Sequence, residues 1–105
     1  MRKIAVIYRR RTWPCFDLFY KPSIIDKLRG RKPKIPLVNY RMDGHPYVKE
    51  FLSRHKGFIY LGSGDTMLMK ATLDMWGTEN EEAIVKLKRW LQLYGFIFIE
   101  ETRSP

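Results

Sequence analysis

The apolar residues of this chain fall in short blocks whose spacing alternates between the strand period and the helix period. Ile4-Ala5-Val6-Ile7-Tyr8 is continuous and rich in β-branched residues, which predicts a buried strand. Thr12-Trp13-Pro14 interrupts it. From Cys15 to Leu28 the pattern has helical character. Phe16, Phe19 and Tyr20 sit at i, i+3 and i+4, as on the core face of an amphipathic helix. Pro22 suits the first turn of a helix through Ser23 to Leu28. Gly30 and Pro33 bracket a basic loop, Pro36 to Tyr40 reads as a second strand, and Asp43-Gly44 as a turn.

Beyond it, Val48, Phe51 and Leu52 recur at helical spacing, so Pro46 to Arg54 is a short helix that Gly57 ends. Phe58 to Leu61 is a third strand. Asp65 or Thr66 can cap a helix with Leu68, Ala71 and Met75 on its apolar side and Gly77 at its end. Thr78-Glu79-Asn80-Glu81 fits a capping box. Ile84, Leu87, Leu91 and Tyr94 then share one face, Glu82 and Lys86 form an i, i+4 pair, and Gly95 supplies the stop. Phe96-Ile97-Phe98-Ile99 is apolar on both sides and predicts a strand that is interior or covered on both faces. The pattern as a whole predicts an α+β fold: one domain over residues 1–105, with about four short strands packed with three to four helices.

Composition fits that reading. The 105 residues are 45% hydrophobic and 14% aromatic, as in a chain with one core. Cys15 is the only cysteine, which excludes an internal disulfide and a cysteine-based zinc site and agrees with a reducing compartment. The apolar run after Met1-Arg2-Lys3 is too short for a signal peptide and is closed by Arg9-Arg10-Arg11. No apolar stretch reaches the length of a membrane span. The expected location is the cytoplasm, with no membrane partner.

Charge divides the chain. Its 20 Lys and Arg against 11 Asp and Glu give a net charge of +9. Residues 1–56 hold 15 of the bases and four of the acids, whereas residues 57–105 hold five bases and seven acids. A basic half joined to a neutral or slightly acidic helical half points to a polyanionic partner.

Two segments of the basic half are the candidates. Arg29-Gly30-Arg31-Lys32-Pro33-Lys34 resembles an AT-hook, a glycine-containing basic ribbon of the DNA minor groove, with Lys32 inserted between the second arginine and the proline. The resemblance implies contact with A·T-rich DNA; as a solvated basic loop the segment would still suit phosphate. Arg9-Arg10-Arg11 with Trp13 interleaves cations with an aromatic ring, a mixture that binds single strands by stacking and phosphate contact. The candidate nucleic-acid-binding residues are therefore Arg9, Arg10, Arg11, Trp13, Arg29, Arg31, Lys32 and Lys34.

Residues 47–101, above all Leu87 to Ile99 with its Leu91…Gly95-Phe96-Ile97 ending, resemble a winged helix-turn-helix domain. That resemblance implies a DNA-reading helix with Asn80, Lys86 and Arg89 toward the groove. The start of that helix, Glu79-Asn80-Glu81-Glu82, is acidic and departs from the pattern.

Other combinations carry less. Gly62-Ser63-Gly64-Asp65 has the look of a phosphate loop, but a turn capping the next helix explains it with fewer assumptions. Asp43, His45 and Glu50 can be drawn as a metal-nuclease cluster, although nothing in the spacing fixes their geometry. No catalytic residue, metal ligand or cofactor is assigned, and the chain is not expected to be an enzyme. The leading expectation is a small DNA- or RNA-binding regulator. The alternative is a protein-binding inhibitor or adaptor of phage or mobile-element type, acting on a nucleic-acid enzyme and anchored by Trp13, Trp76 or Trp90.

Overall fold

The computed structural model describes residues 1–36, 38–69, 77 and 79–102. It is an α+β domain in which one four-stranded mixed sheet is covered by a helix on each face. The strands are β1 (Arg2–Arg9), β2 (Cys15–Lys21), β3 (Ile59–Asp65) and β4 (Ile97–Thr102). The helices are α1 (Ile24–Arg29), α2 (Pro46–Arg54) and α3 (Asn80–Gln92). The sheet order is β3-β2-β1-β4, with β1 antiparallel to β2, β2 antiparallel to β3, and β4 parallel to β1.

Period-two alternation along β1 and β2 builds two cores from the same strands. Ala5, Ile7, Phe16 and Leu18 face α3, where they meet Ala83, Ile84, Leu87 and Leu91. Ile4, Val6, Tyr8 and Phe19 face α2, where they meet Val48 and Phe51. Phe19 stacks on Phe51 with ring centroids 3.9 Å apart. A strand covered on both faces needs apolar side chains at every position, which is why Ile4 to Tyr8 reads as an unbroken run.

The sequence pattern is corrected at several elements. Cys15 to Lys21 is a strand and not the start of a helix; Phe16 and Phe19 are fully buried, but on opposite faces. Helix begins only at Ile24, capped by Ser23 in a capping box with Asp26. The described residues among 36–40 form no strand: Tyr40 pairs in an isolated bridge to Ser63 on the outer edge of β3, and the Asn39 amide donates to the same Ser63 carbonyl. Gly62 to Asp65 lies inside β3 and is not a phosphate loop, while Asp65 at its end accepts from the Leu68 amide at 2.8 Å, the capping bond the pattern expects of it. β4 stands at the sheet edge with Ile97 exposed, but it is covered on both faces: Phe98 packs against the α3-side core and Ile99 against the α2-side core. The N-cap of α3 is Glu79, which makes no side-chain capping bond. The expected helix with Leu68, Ala71 and Met75, and the Thr78 cap, fall largely or wholly outside the described residues. α2 begins and ends where the pattern places it, and Gly95 follows α3 with φ +81°.

A bulge at Leu61 sets the geometry of β3. Leu18 pairs with Gly62 and Phe19 with Tyr60, leaving Leu61 unpaired. Tyr60 and Ser63 therefore both project to the α2 side. A Cβ on Gly62 would stand 2.7 Å from Val38 Cγ2, and one on Gly64 would stand 2.6 Å from the Phe16 ring. These two glycines let residues 38–40 lie against the strand.

Candidate nucleic-acid interface

The eight candidate residues fall at opposite ends of the sheet. Arg9 to Trp13 occupy the end where β1 stops and β2 starts, and Arg29 to Lys34 the end where β1 starts and β2 stops. The eight residues of β1 separate the two groups by about 23 Å at the usual strand rise.

At the first end, hereafter the paired end, the arginines are engaged within the protein. The Arg9 guanidinium donates to Glu81 of α3 and lies 3.6 Å from Glu100 of β4. Glu100 also pairs with Lys88, and its carboxyl is held below the usual carboxylate range chiefly by that bond. Arg10 donates to the Cys15 sulfur at 3.0 Å, while its carbonyl accepts from Asn80 Nδ2 at 3.2 Å. Burial pushes the Cys15 thiol up against the opposing pull of Arg10, so the sulfur is a poor nucleophile. Trp13 is half-buried beside buried Pro14, whose carbonyl accepts from both Thr66 N and Thr66 Oγ1. Arg11 alone of the three arginines is exposed.

The second end, the basic end, is built differently. Arg2 and Lys21 are direct cross-strand partners, a like-charge pair that opposes strand pairing. Lys3 extends under the loop, donating to the carbonyls of Lys34 at 3.2 Å and Tyr94 at 2.7 Å, and so ties residues 31–36 to the end of α3. Burial, then the Lys34 charge, lowers the Lys3 pKa. Arg29 ends α1, Gly30 caps it in the left-handed conformation (φ +63°), and the Arg31 amide bonds back to the Asp26 carbonyl at 2.9 Å. The Arg-Gly-Arg segment thus begins on a helix terminus and continues as irregular chain. Lys27, Lys32 and Lys34 are exposed, and Lys56 lies next to Gly57, which packs on the Lys21 side chain.

This end gathers Arg2, Lys3, Lys21, Lys27, Arg29, Arg31, Lys32, Lys34 and Lys56. Its only acid among the described residues is Asp26, and that carboxylate is already committed. It accepts from Ser23 N and Oγ at 2.9 and 2.8 Å and from the Met1 ammonium at 3.3 Å, with Arg31 more distant at 3.9 Å. These bonds, those to Ser23 first, hold its pKa down to about 2.

A buried polar network lies on the α2 side, toward the paired end. Asp17 accepts from Tyr8 Oη at 2.7 Å and from Ser63 Oγ, Ser63 contacts Tyr60 Oη, and the Met42 amide donates to Tyr60 at 2.8 Å. Burial raises the Asp17 pKa despite the bonds from Ser63 and Tyr8. Sequence reasoning missed this group because Asp17 and Ser63 lie 46 residues apart. It is a satisfied structural network, since among the described residues no buried side-chain polar atom lacks a partner; a cleft of about 30 Å³ lies nearby, lined by Tyr8, Tyr47, Glu50, His55 and Glu101 among others.

Asp43, His45 and Glu50 do not converge. Asp43 binds Arg41, His45 accepts from the Tyr47 amide, and among the described residues no three His, Cys, Asp or Glu side chains are grouped to hold a metal ion. No described helix is long and apolar enough to cross a membrane. Of the tryptophan anchors, Trp90 is half-buried against Phe16 at 6.4 Å, Trp13 is half-buried, and Trp76 is outside the described residues. Asn80 is turned to the Arg10 carbonyl, Lys86 is half-buried, and Arg89 is exposed on α3. No protein-family model, curated protein or solved structure matches the chain.

Proposed function

We propose that the protein binds nucleic acid through the basic end of its sheet, with Arg29, Arg31, Lys32 and Lys34 as the principal phosphate contacts. The observation that carries this reading is the uncompensated charge there: nine bases share one acid, and that acid is spent on a helix cap and the chain terminus. Such a field attracts a polyanion, and binding releases the counterions condensed on it. Arg9 and Arg10 are secondary on this reading, because their guanidiniums already have protein partners. An inhibitor or adaptor role rests on tryptophan anchors, and the half-buried packing of Trp90 favours it less.

The test is a salt series of binding to duplex DNA, single-stranded DNA and RNA. Roughly five phosphate contacts on a duplex predict a log–log slope near −4 to −5. A flat response from dilute to physiological salt contradicts the reading. Preference for A·T-rich duplex over the other ligands would support the AT-hook resemblance of residues 29–34.

A further inference from the structure

α1 is an amphipathic helix turned inside out. At 3.6 residues per turn Ile24, Ile25 and Leu28 share one side and Asp26 lies opposite. Asp26 is the buried one, at 4% exposure, while Ile24 and Leu28 are 77% and 82% exposed. Lys27 and Arg29 flank the aliphatic stripe on its two sides. Nor is the stripe isolated. Ile35 lies in the basic loop, Leu93 beside the Tyr94 carbonyl that Lys3 holds, and Ile97 opposite Ile4 at the start of β4; all three are exposed. The basic end thus carries most of the large aliphatic side chains that the described surface exposes, interleaved with its cations.

Phosphates account for the cations but offer the aliphatics nothing. A second copy of the chain would cover the aliphatics but bring Lys27 and Arg29 against their like. A surface that is both anionic and apolar just beneath its charge satisfies both sets of groups. We propose that this end docks on anionic lipid bilayers, with the α1 stripe entering the headgroup layer and the surrounding lysines and arginines meeting acidic headgroups. The absence of a membrane span in the sequence does not bear on this, because surface docking needs none. The inference stands independently of the nucleic-acid reading, since it rests on the aliphatics. It adds one consequence: bilayer and nucleic acid compete for the same cations.

Co-sedimentation of the full chain with phosphatidylcholine vesicles, and with vesicles containing phosphatidylserine, tests it at physiological salt. The expected result is partitioning onto the phosphatidylserine vesicles only. An Ile24→Ser, Leu28→Ser variant, whose sites are exposed and whose fold is checked by circular dichroism, should partition at least about tenfold more weakly. The same variant should keep its affinity for DNA, so loss of DNA binding in the parent chain and loss of vesicle binding are read separately. No partitioning of the parent chain overturns the proposal. So does partitioning that the double substitution leaves unchanged, which would mean charge alone is responsible. Concentration-dependent dimerisation that the substitution abolishes would also overturn it, by assigning the stripe to a second copy.

Discussion

The two ends of the sheet carry similar sequence but opposite electrostatics. Both hold a basic run from the first half of the chain, Arg9 to Arg11 at one and Arg29 to Lys34 at the other. At the paired end, α3 and β4 return Glu81 and Glu100 to the immediate neighbourhood of Arg9. At the basic end the only described acid is Asp26, and it stabilises the helix beneath the cations. The lesson is that a basic run is a candidate interface only where the fold leaves it uncompensated. Surface ion pairs contribute little to stability, about 0–1 kcal/mol each, so those of Arg9 matter more for what they neutralise.

The acids of the two ends give the first ways to break this comparison. Asp17→Ala should have the largest effect, lowering unfolding free energy by about 3 kcal/mol in urea, because it strips Tyr8 and Ser63 of a buried acceptor. Its effect on DNA affinity should be small. A loss under about 1 kcal/mol would mean the network is dispensable. Ser23→Ala should cost about 1 kcal/mol through loss of the α1 cap. Faster hydrogen exchange at Lys27, Gly30 and Arg31 would locate that loss at the basic end; unchanged exchange there would contradict it.

Acid titration separates the same two carboxyls. Asp26 has its folded pKa held down to about 2, so its contribution is present above the ordinary aspartate range and is lost as pH falls from about 4 toward 2. Asp17 has a raised folded pKa, so its contribution is fully present in acid and declines as pH rises through the ordinary range toward that value. Carboxyl NMR should therefore show Asp17 titrating above Asp26, and α1 losing protection below about pH 4. The reverse order would break the assignment of a buried carboxyl network to one end and a helix cap to the other.

The smallest effect sharpens the comparison most. Glu81→Gln with Glu100→Gln should change stability little, because the three ion pairs it breaks lie at the surface, while releasing Arg9 and Lys88. DNA affinity should rise modestly, with a steeper salt slope. An unchanged slope would mean that the paired end takes no part even when its charge is freed.

Much of the scaffold was legible in the sequence. The apolar runs at Ile4 and Phe58, the helical spacing of Val48-Phe51-Leu52 and the Ile84-Leu87-Leu91 face all mark elements that the fold contains. β2 was not legible, because a strand buried on both faces has no alternation, and Phe16, Phe19 and Tyr20 happen to match a helix face. β4 has the composition of an interior strand, yet nothing local reveals that it stands at the sheet edge. The candidate interface was half legible. The Arg29 to Lys34 cluster is visible as charge. The neutralisation of Arg9 is not, since Glu81 lies 72 residues away. The outward turn of α1 is equally hidden, because its apolar stripe looks like an ordinary core face until Asp26 is seen to be the buried side.

The central claim is that the basic end, and not the paired end, meets nucleic acid. It is tested most directly by the salt dependence of duplex DNA binding in two neutralised variants. Arg29→Gln, Arg31→Gln, Lys32→Gln and Lys34→Gln together should flatten the log–log slope by about 3 to 4 and weaken binding accordingly. Arg9→Gln, Arg10→Gln and Arg11→Gln together should flatten it by about 1, the share of exposed Arg11. Equal slopes in the two variants, or a larger change in the second, would contradict the account.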